Sequence, residues 1–133
     1  MKSAVTAIPA APSHLACQHF QAGFAFETDC WDVNDALRNC HDFVLLDVRS
    51  PGLFAKGHVP GAINLPHGKI IESKLQQWPE ETLFVTYCAG PHCNGAARGA
   101  LRLARLNRPV KIMIGGISGW LDEGFALKAG MEP

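Results

Sequence analysis

Short apolar runs alternate along the chain with stretches whose apolar residues recur every three or four positions. Phe43-Val44-Leu45-Leu46 runs into Asp47, Leu83-Phe84-Val85-Thr86-Tyr87 stops at Cys88-Ala89-Gly90-Pro91, and Val110-Lys111-Ile112-Met113-Ile114 stops at Gly115-Gly116. Runs of this length, closed by turn residues, predict strands buried on both faces. Ala62-Ile63-Asn64-Leu65 is a fourth candidate and Gly23-Phe24-Ala25-Phe26 a weak first. Between them, Asp32 to Arg38 predicts a helix, with Val33 and Leu37 four apart behind capping-type residues. Lys69 to Trp78 predicts another, with Ile70, Ile71, Leu75 and Trp78 at helical spacing and Pro79 beyond its end. The clearest helix runs from Gly95 to Leu106, with Ala97, Ala100, Leu101 and Ala104 as its expected apolar side; Ile117 to Glu123 is a short last one, closed by Gly124. This alternation predicts an α/β fold, a mainly parallel sheet with helices on both faces. In such sheets the ligand crevice lies beyond the carboxyl ends of the strands, which is where Asp47, Cys88 and Gly115-Gly116 fall.

Composition narrows the class without naming a function. The 133 residues fit one domain, with residues 1–22 expected as a poorly ordered or loosely docked lead-in and 23–133 as the folded unit. Twelve basic and twelve acidic side chains cancel, which argues against nucleic acid or an anionic membrane surface as a bulk electrostatic partner. No apolar run approaches the roughly 20 residues of a membrane helix, and Pro9 and Pro12 interrupt any signal-peptide core, so the expected location is the cytoplasm. The cysteines at 17, 30, 40, 88 and 93 are odd in number and widely spaced. Reactive or simply buried thiols are a better reading of them than a disulfide framework.

Cys88 stands out among them. It leaves a buried strand, passes through the small-residue loop Ala89-Gly90-Pro91-His92-Cys93, and meets a helix beginning near Asn94, a plausible N-cap. Helix N-termini and converging loop amides both favour an anion, and the thiolate is the nucleophilic form of cysteine. Most buried cysteines are structural, but this strand–loop–helix position points to a reactive Cys88. Cys93 stays open as an alternative nucleophile, a resolving thiol for Cys88, or a residue of the helix start. Cys88, His92 and Cys93 are soft ligands, yet a closed zinc site takes four and no second pair lies at zinc-motif spacing, so no metal is expected. Arg98, Arg102 and Arg105 form a basic stripe that reads as a solvated helix face, with Arg98 alone near enough to the helix start to help hold an anion. His14, His19, His41 and His67 carry no pattern and read as surface or loop residues.

Four segments together carry a family resemblance. Asp47-Val48-Arg49-Ser50-Pro51 and Gly57-His58-Val59-Pro60-Gly61-Ala62-Ile63-Asn64-Leu65-Pro66 resemble the two N-terminal signatures of the rhodanese (thiosulfate sulfurtransferase) family. Tyr87-Cys88 with its Gly-containing loop resembles the active-site loop, and Gly115-Gly116-Ile117-Ser118-Gly119-Trp120 the C-terminal motif. The resemblance implies a single α/β domain with a five-stranded, mainly parallel sheet. It also implies a chemistry: a thiolate takes the sulfane sulfur of thiosulfate or a persulfide and passes it to a thiol or other nucleophile, an acceptor protein included. On that basis Cys88 is the nucleophile, Ala89, Gly90, Pro91, His92, Cys93, Asn94 and Gly95 form the substrate loop, and Cys93 and Arg98 are secondary candidates. Asp47 and Arg49 are expected to support the architecture beside the site, His58 to be structural rather than catalytic, and no cofactor is implied. The loop departs from the family's usual one by about two extra residues before the helix; counting from Cys93 instead keeps the arginine five positions on but loses the strand end. Leu53 stands where an acidic residue is expected. Two other functions compete: a cysteine phosphatase or arsenate-reductase type of hydrolase, suggested by the longer loop, and a non-catalytic redox sensor built on a Cys88/Cys93 disulfide.

Overall fold

Alternation along two central strands decides what each face of the sheet holds. In the computed structural model, which describes residues 1–133, β2 (Val44–Asp47) and β4 (Phe84–Tyr87) pair in parallel, Val44 opposite Phe84 through Asp47 opposite Tyr87. Successive side chains of a strand point to opposite faces. Leu45, Val85 and Tyr87 therefore enter one core cluster, and Leu46, Phe84 and Cys88 the other.

The remaining elements follow from covering those faces. In chain order they are α1 (Ser13–Phe26), β1 (Glu27–Thr28), α2 (Cys30–Asn39), β2, α3 (Pro51–Lys56), β3 (Ile63–Asn64), a 3-10 turn (His67–Lys69), α4 (Glu72–Leu75), β4, α5 (Gly95–Arg105), β5 (Val110–Met113) and α6 (Gly116–Asp122). All four strand pairings are parallel, in the order β1-β5-β4-β2-β3, so β4 lies in the middle of a five-stranded sheet. Cys30 and Val33 of α2, Phe54 of α3 and Trp120 of α6 pack on the Leu45 face, while Leu75 of α4 and Ala96 and Leu103 of α5 pack on the other. The expected α/β architecture is the observed one. No helix is long and apolar enough to cross a membrane.

Several local expectations are corrected. Gly23 to Phe26, expected as a weak strand, closes α1 instead; Phe24 and Phe26 stay exposed, and the first strand starts at Glu27, whose partner is Ile112. Residues 1–22 all precede or form this helix, none of whose residues is buried. The Lys69–Trp78 helix is not continuous. Ile70 and Ile71 are extended between the 3-10 turn and α4, which lets Ile70 reach the core while Ile71 remains exposed. In α2 the cap is Asp29, whose carboxylate accepts from the Asp32 amide at 2.8 Å, so the helix starts before the expected Asp32.

The apolar side of α5 was also misplaced. Gly95, Ala96, Gly99 and Leu103 face the sheet, whereas Ala97, Leu101 and Ala104 are exposed. Close approach is the cause: a Cβ on Gly99 would lie 3.0 Å from Val48 Cγ1 and 3.4 Å from Ile70 Cδ1, so the glycine face is the one that fits.

A buried polar network ties β2, β4 and the segment after α3 together. Arg49 holds Asp47 through two nitrogens, at 2.7 Å from Nη2 to Oδ2 and 3.0 Å from Nε to Oδ1, and Nη2 also donates to the Gly57 carbonyl at 2.7 Å. The Tyr87 hydroxyl donates to Asp47 Oδ2 at 2.7 Å and accepts from the Val59 amide at 3.1 Å. Burial, then the charge of Asp47, pushes the Tyr87 hydroxyl far above its ordinary range, so it stays protonated and remains a donor. Tyr87→Phe removes one donor and orphans the Val59 amide, at an expected cost of about 1–3 kcal/mol. Asp47→Ala leaves the half-buried Arg49 unpaired and should cost more, about 3–5 kcal/mol. Urea-unfolding midpoints check both, and a negligible shift in either would mean that the network does not hold the strands.

Candidate active site

Cys88 lies one residue beyond the carboxyl end of β4 and is 7% exposed. Period-two alternation puts its sulfur on the α5 face, two positions from Thr86, whose hydroxyl donates to the Ala96 carbonyl at 3.0 Å in the first turn of α5. The helix start is therefore pinned beside the sulfur. A Cβ added to Gly95 would lie 2.7 Å from Cys88 Sγ and 3.5 Å from Cys93 Sγ. Glycine at the first helical position is what lets both sulfurs sit over the N-terminus of α5.

The loop that follows is short of internal bonds. Cys93 donates its amide to the Gly90 carbonyl at 3.1 Å, closing a turn through Pro91 and His92. The amides of Ala89, Gly90, His92, Asn94, Gly95 and Ala96 donate to no protein acceptor. Such a run of free amides, continued by a helix N-terminus, is a site for a negative group. Asn94 occupies the cap position, but its side chain does not cap the helix; Oδ1 accepts instead from Arg98 Nε at 3.1 Å. Arg98 thus leans on the loop from an exposed position, while the other residues of the basic stripe, Arg102 and Arg105, lie farther along the helix.

The carbonyls of the loop are held from the opposite side. Ile117 and Ser118 at the start of α6 donate their amides to the carbonyls of Cys88 and Ala89, each at 3.0 Å, and Ser118 Oγ reaches the Ala89 carbonyl at 3.2 Å. Gly115 and Gly116 make the turn that delivers them, with φ of 92° and 58°. Any Cβ on Gly116 would run into the Cys88 carbonyl oxygen. Thr86 and Ser118 escaped the sequence reading; their signals are parity with Cys88 along β4 and adjacency to the double glycine.

The remaining expected residues separate by face. Asp47 and Arg49 belong to the network on the Tyr87 side, one register step from Cys88 but across the sheet from its sulfur. His58 is fully buried, stacked on Phe54 with ring centroids 3.7 Å apart; Nδ1 donates to the Phe54 carbonyl at 2.9 Å, and Nε2 has no partner. Leu53 is exposed in α3. A cleft of about 750 Å³ lies elsewhere, between α1 and the β1–β5 edge, and does not include Cys88. No three His, Cys, Asp or Glu side chains gather as a metal site.

Cys88 and Cys93 are joined as a disulfide, with Cα atoms 6.4 Å apart. Of the other cysteines, Cys17 and Cys40 are exposed and Cys30 is buried. Burial, then the charges of Asp29 and Glu123, raises the Cys30 thiol from 9.0 to about 11. Because that folded value exceeds the unfolded one, the buried neutral thiol favours folding below pH 9.0, and the contribution is lost as pH rises through about 11. Alkylation below pH 9.0 without reductant should therefore label Cys17 and Cys40 in the native protein, add Cys30 on unfolding, and reach Cys88 and Cys93 only after reduction. Peptide mass mapping checks the order, and early labelling of Cys30 would contradict it.

Comparison with known proteins follows the same residues. The model of the rhodanese-like domain matches residues 32–123. A sulfurtransferase of Allochromatium vinosum is 27% identical over 103 residues, which cover 77% of this chain and 94% of that protein. An HTH-type transcriptional regulator of Mycobacterium tuberculosis is 33% identical over 94 residues, 70% of this chain but 41% of the regulator, so the chain spans less than half of that relative. Among solved structures, a Bacillus halodurans protein superposes with a TM-score of 0.85 at 31% identity, covering 90% of this chain and 88% of its own. A thiosulfate sulfurtransferase from Pseudomonas aeruginosa shares the fold, with a TM-score of 0.69 at 22% identity over 80% of this chain and 21% of its own. The matched span runs from α2 through α6 and carries the Cys88 loop, the Asp47 network and the double-glycine turn, and on that match the chain belongs to the rhodanese-like domain family.

Proposed function

We propose that the protein is a sulfurtransferase that carries sulfane sulfur as a persulfide on Cys88. The observation that supports this most directly is the position of Cys88 Sγ against Gly95 at the start of α5, beside a loop in which the amides of Ala89, Gly90, His92 and Asn94 have no protein acceptor. A helix N-terminus favours a negative charge by about 0.3–1 kcal/mol, and up to about 2 when partly buried. The same field acts on the thiolate that attacks and on the persulfide anion that results. In the first half-reaction Cys88 Sγ bonds to the outer sulfur of thiosulfate and sulfite leaves. In the second, a thiol or another nucleophile removes that sulfur. Splitting one transfer into two is the advantage of a covalent carrier. Membership of the rhodanese-like family and the likeness to a sulfurtransferase over most of both chains support the reaction class. A small sulfur compound as donor and a thiol, free or protein-borne, as acceptor fit a sulfur that is nearly buried at the start of the loop.

The disulfide with Cys93 occupies the nucleophile, so activity requires its reduction first. The reduced protein, given thiosulfate with excess cyanide already present to capture the outer sulfur, is expected to form thiocyanate, whereas the unreduced protein is expected to form none. Cys88→Ser should bring the rate to that of the uncatalysed reaction. Arg98→Ala, removing one exposed positive charge near the loop, should lower kcat/KM roughly two- to fivefold. Unchanged thiocyanate formation in Cys88→Ser would refute the proposal, and turnover of an aryl phosphate by the reduced protein would favour a hydrolase instead.

A further inference from the structure

We infer that Cys93 is a resolving thiol that discharges the Cys88 persulfide as hydrosulfide, making the transferase one that releases its sulfur under the control of a dithiol reductant. The inference rests on Cys88 as the persulfide carrier and adds an internal acceptor to it. Three observations carry it. The first is reach. The two cysteines are five residues apart with Cα atoms at 6.4 Å, within the span a disulfide bridges, and the structure joins them. The turn closed by the Cys93 amide on the Gly90 carbonyl holds Cys93 over the helix start, next to the same Gly95 that Cys88 touches.

The second is the difference in access. Cys88 is buried, whereas Cys93 is half-buried between exposed His92 and Asn94. An external reductant therefore meets the Cys93 sulfur first. Attack there expels Cys88 as the thiolate, the leaving group that the N-terminus of α5 favours, and returns the nucleophile ready for the next donor. The third is the absence of a rival: Cys30 donates to the carbonyls of Ile114 and Gly116 on the other face of the sheet, and Cys17 and Cys40 are exposed outside the loop.

The chemistry balances. After thiosulfate has given its outer sulfur to Cys88 and sulfite has left, Cys93 gives up its proton and its sulfur attacks Cys88 Sγ. A bond forms between the two cysteine sulfurs and the bond from Cys88 Sγ to the sulfane sulfur breaks. The electron pair leaves with the sulfane sulfur, which takes the proton and departs as hydrosulfide. The sulfane sulfur is reduced and the cysteine pair is oxidised by two electrons, giving the disulfide seen in the structure. A dithiol of the small-redox-protein class then attacks Cys93, releases Cys88, closes to its own disulfide and restores both thiols.

A single-turnover experiment on the full chain tests this. The protein is reduced, freed of reductant and treated anaerobically with thiosulfate, with hydrosulfide and intact mass followed together. The wild type is expected to release stoichiometric hydrosulfide and to end two hydrogens lighter than the reduced chain, with Cys88 and Cys93 in one linked peptide. Cys93→Ser and Cys93→Ala are expected to gain the mass of one sulfur on Cys88 and to release no hydrosulfide until a thiol is added. A wild-type chain that keeps the extra sulfur, on Cys88 or passed to Cys93, and releases none would overturn the resolving role while leaving the persulfide carrier intact. Absence of both added sulfur and hydrosulfide in the wild type and both variants would instead overturn the carrier reading beneath it.

Discussion

A single carboxylate, Asp47, holds together the parts of the fold that must not slide. It ends β2, faces Tyr87 in register on β4, and accepts from Arg49, from the Tyr87 hydroxyl and from the Arg49 amide at 3.0 Å. Burying a carboxylate is costly unless nearly every acceptor position is used, and here the positions are used. Burial works against the Arg49 charge, yet its hydrogen bonds and attraction to Asp47 outweigh that and leave its pKa raised. Tyr87 passes the tie on to the Val59 amide, and Arg49 to the Gly57 carbonyl. Asn64 closes the set by donating to the carbonyls of Asp47 and Arg49. The result fixes the end of β4, and Cys88 is the next residue along.

From that fixed point the sulfur is placed by parity. Tyr87 must face the carboxylate, so Cys88 faces the opposite side, towards α5. Small residues bring the helix close enough to matter: Gly99 seats α5 on Val48 and Thr86, and Gly95 clears room for the two sulfurs. The double glycine at the start of α6 brings two further amides onto the carbonyls of Cys88 and Ala89. Structural support and chemistry therefore lie on opposite faces of one sheet, joined through adjacent residues of one strand.

Much of this was legible along the chain because it rests on local pattern. Apolar runs stopped by turn residues marked β2, β4 and β5, and their alternation with helical stretches identified the parallel α/β sheet. The failures share a cause, which is that apolarity was counted where fit was decisive. Ala97, Leu101 and Ala104 are more apolar than Gly95 and Gly99, yet the glycines face the sheet because only they allow contact at that distance. Ile70 and Ile71 have helical spacing with Leu75, but burying Ile70 requires an extended backbone between two short helical turns. Phe24 and Phe26 read as strand residues, and a continuing helix leaves them exposed.

What the sequence determined by itself was the fold class and the strand ends beyond which Cys88 and the double glycine fall, since each follows from order and spacing within a few residues. Only the tertiary structure decided where the Cys93 sulfur lies. A linear count left it as a rival nucleophile, a resolving thiol or a helix-start residue. The folded loop turns back at Gly90, sets the Cys93 sulfur beside that of Cys88 over Gly95, and leaves it the more accessible of the two. Distance and access between two side chains depend on how a loop closes against a helix and a sheet assembled from remote segments. No periodicity in the chain encodes that closure.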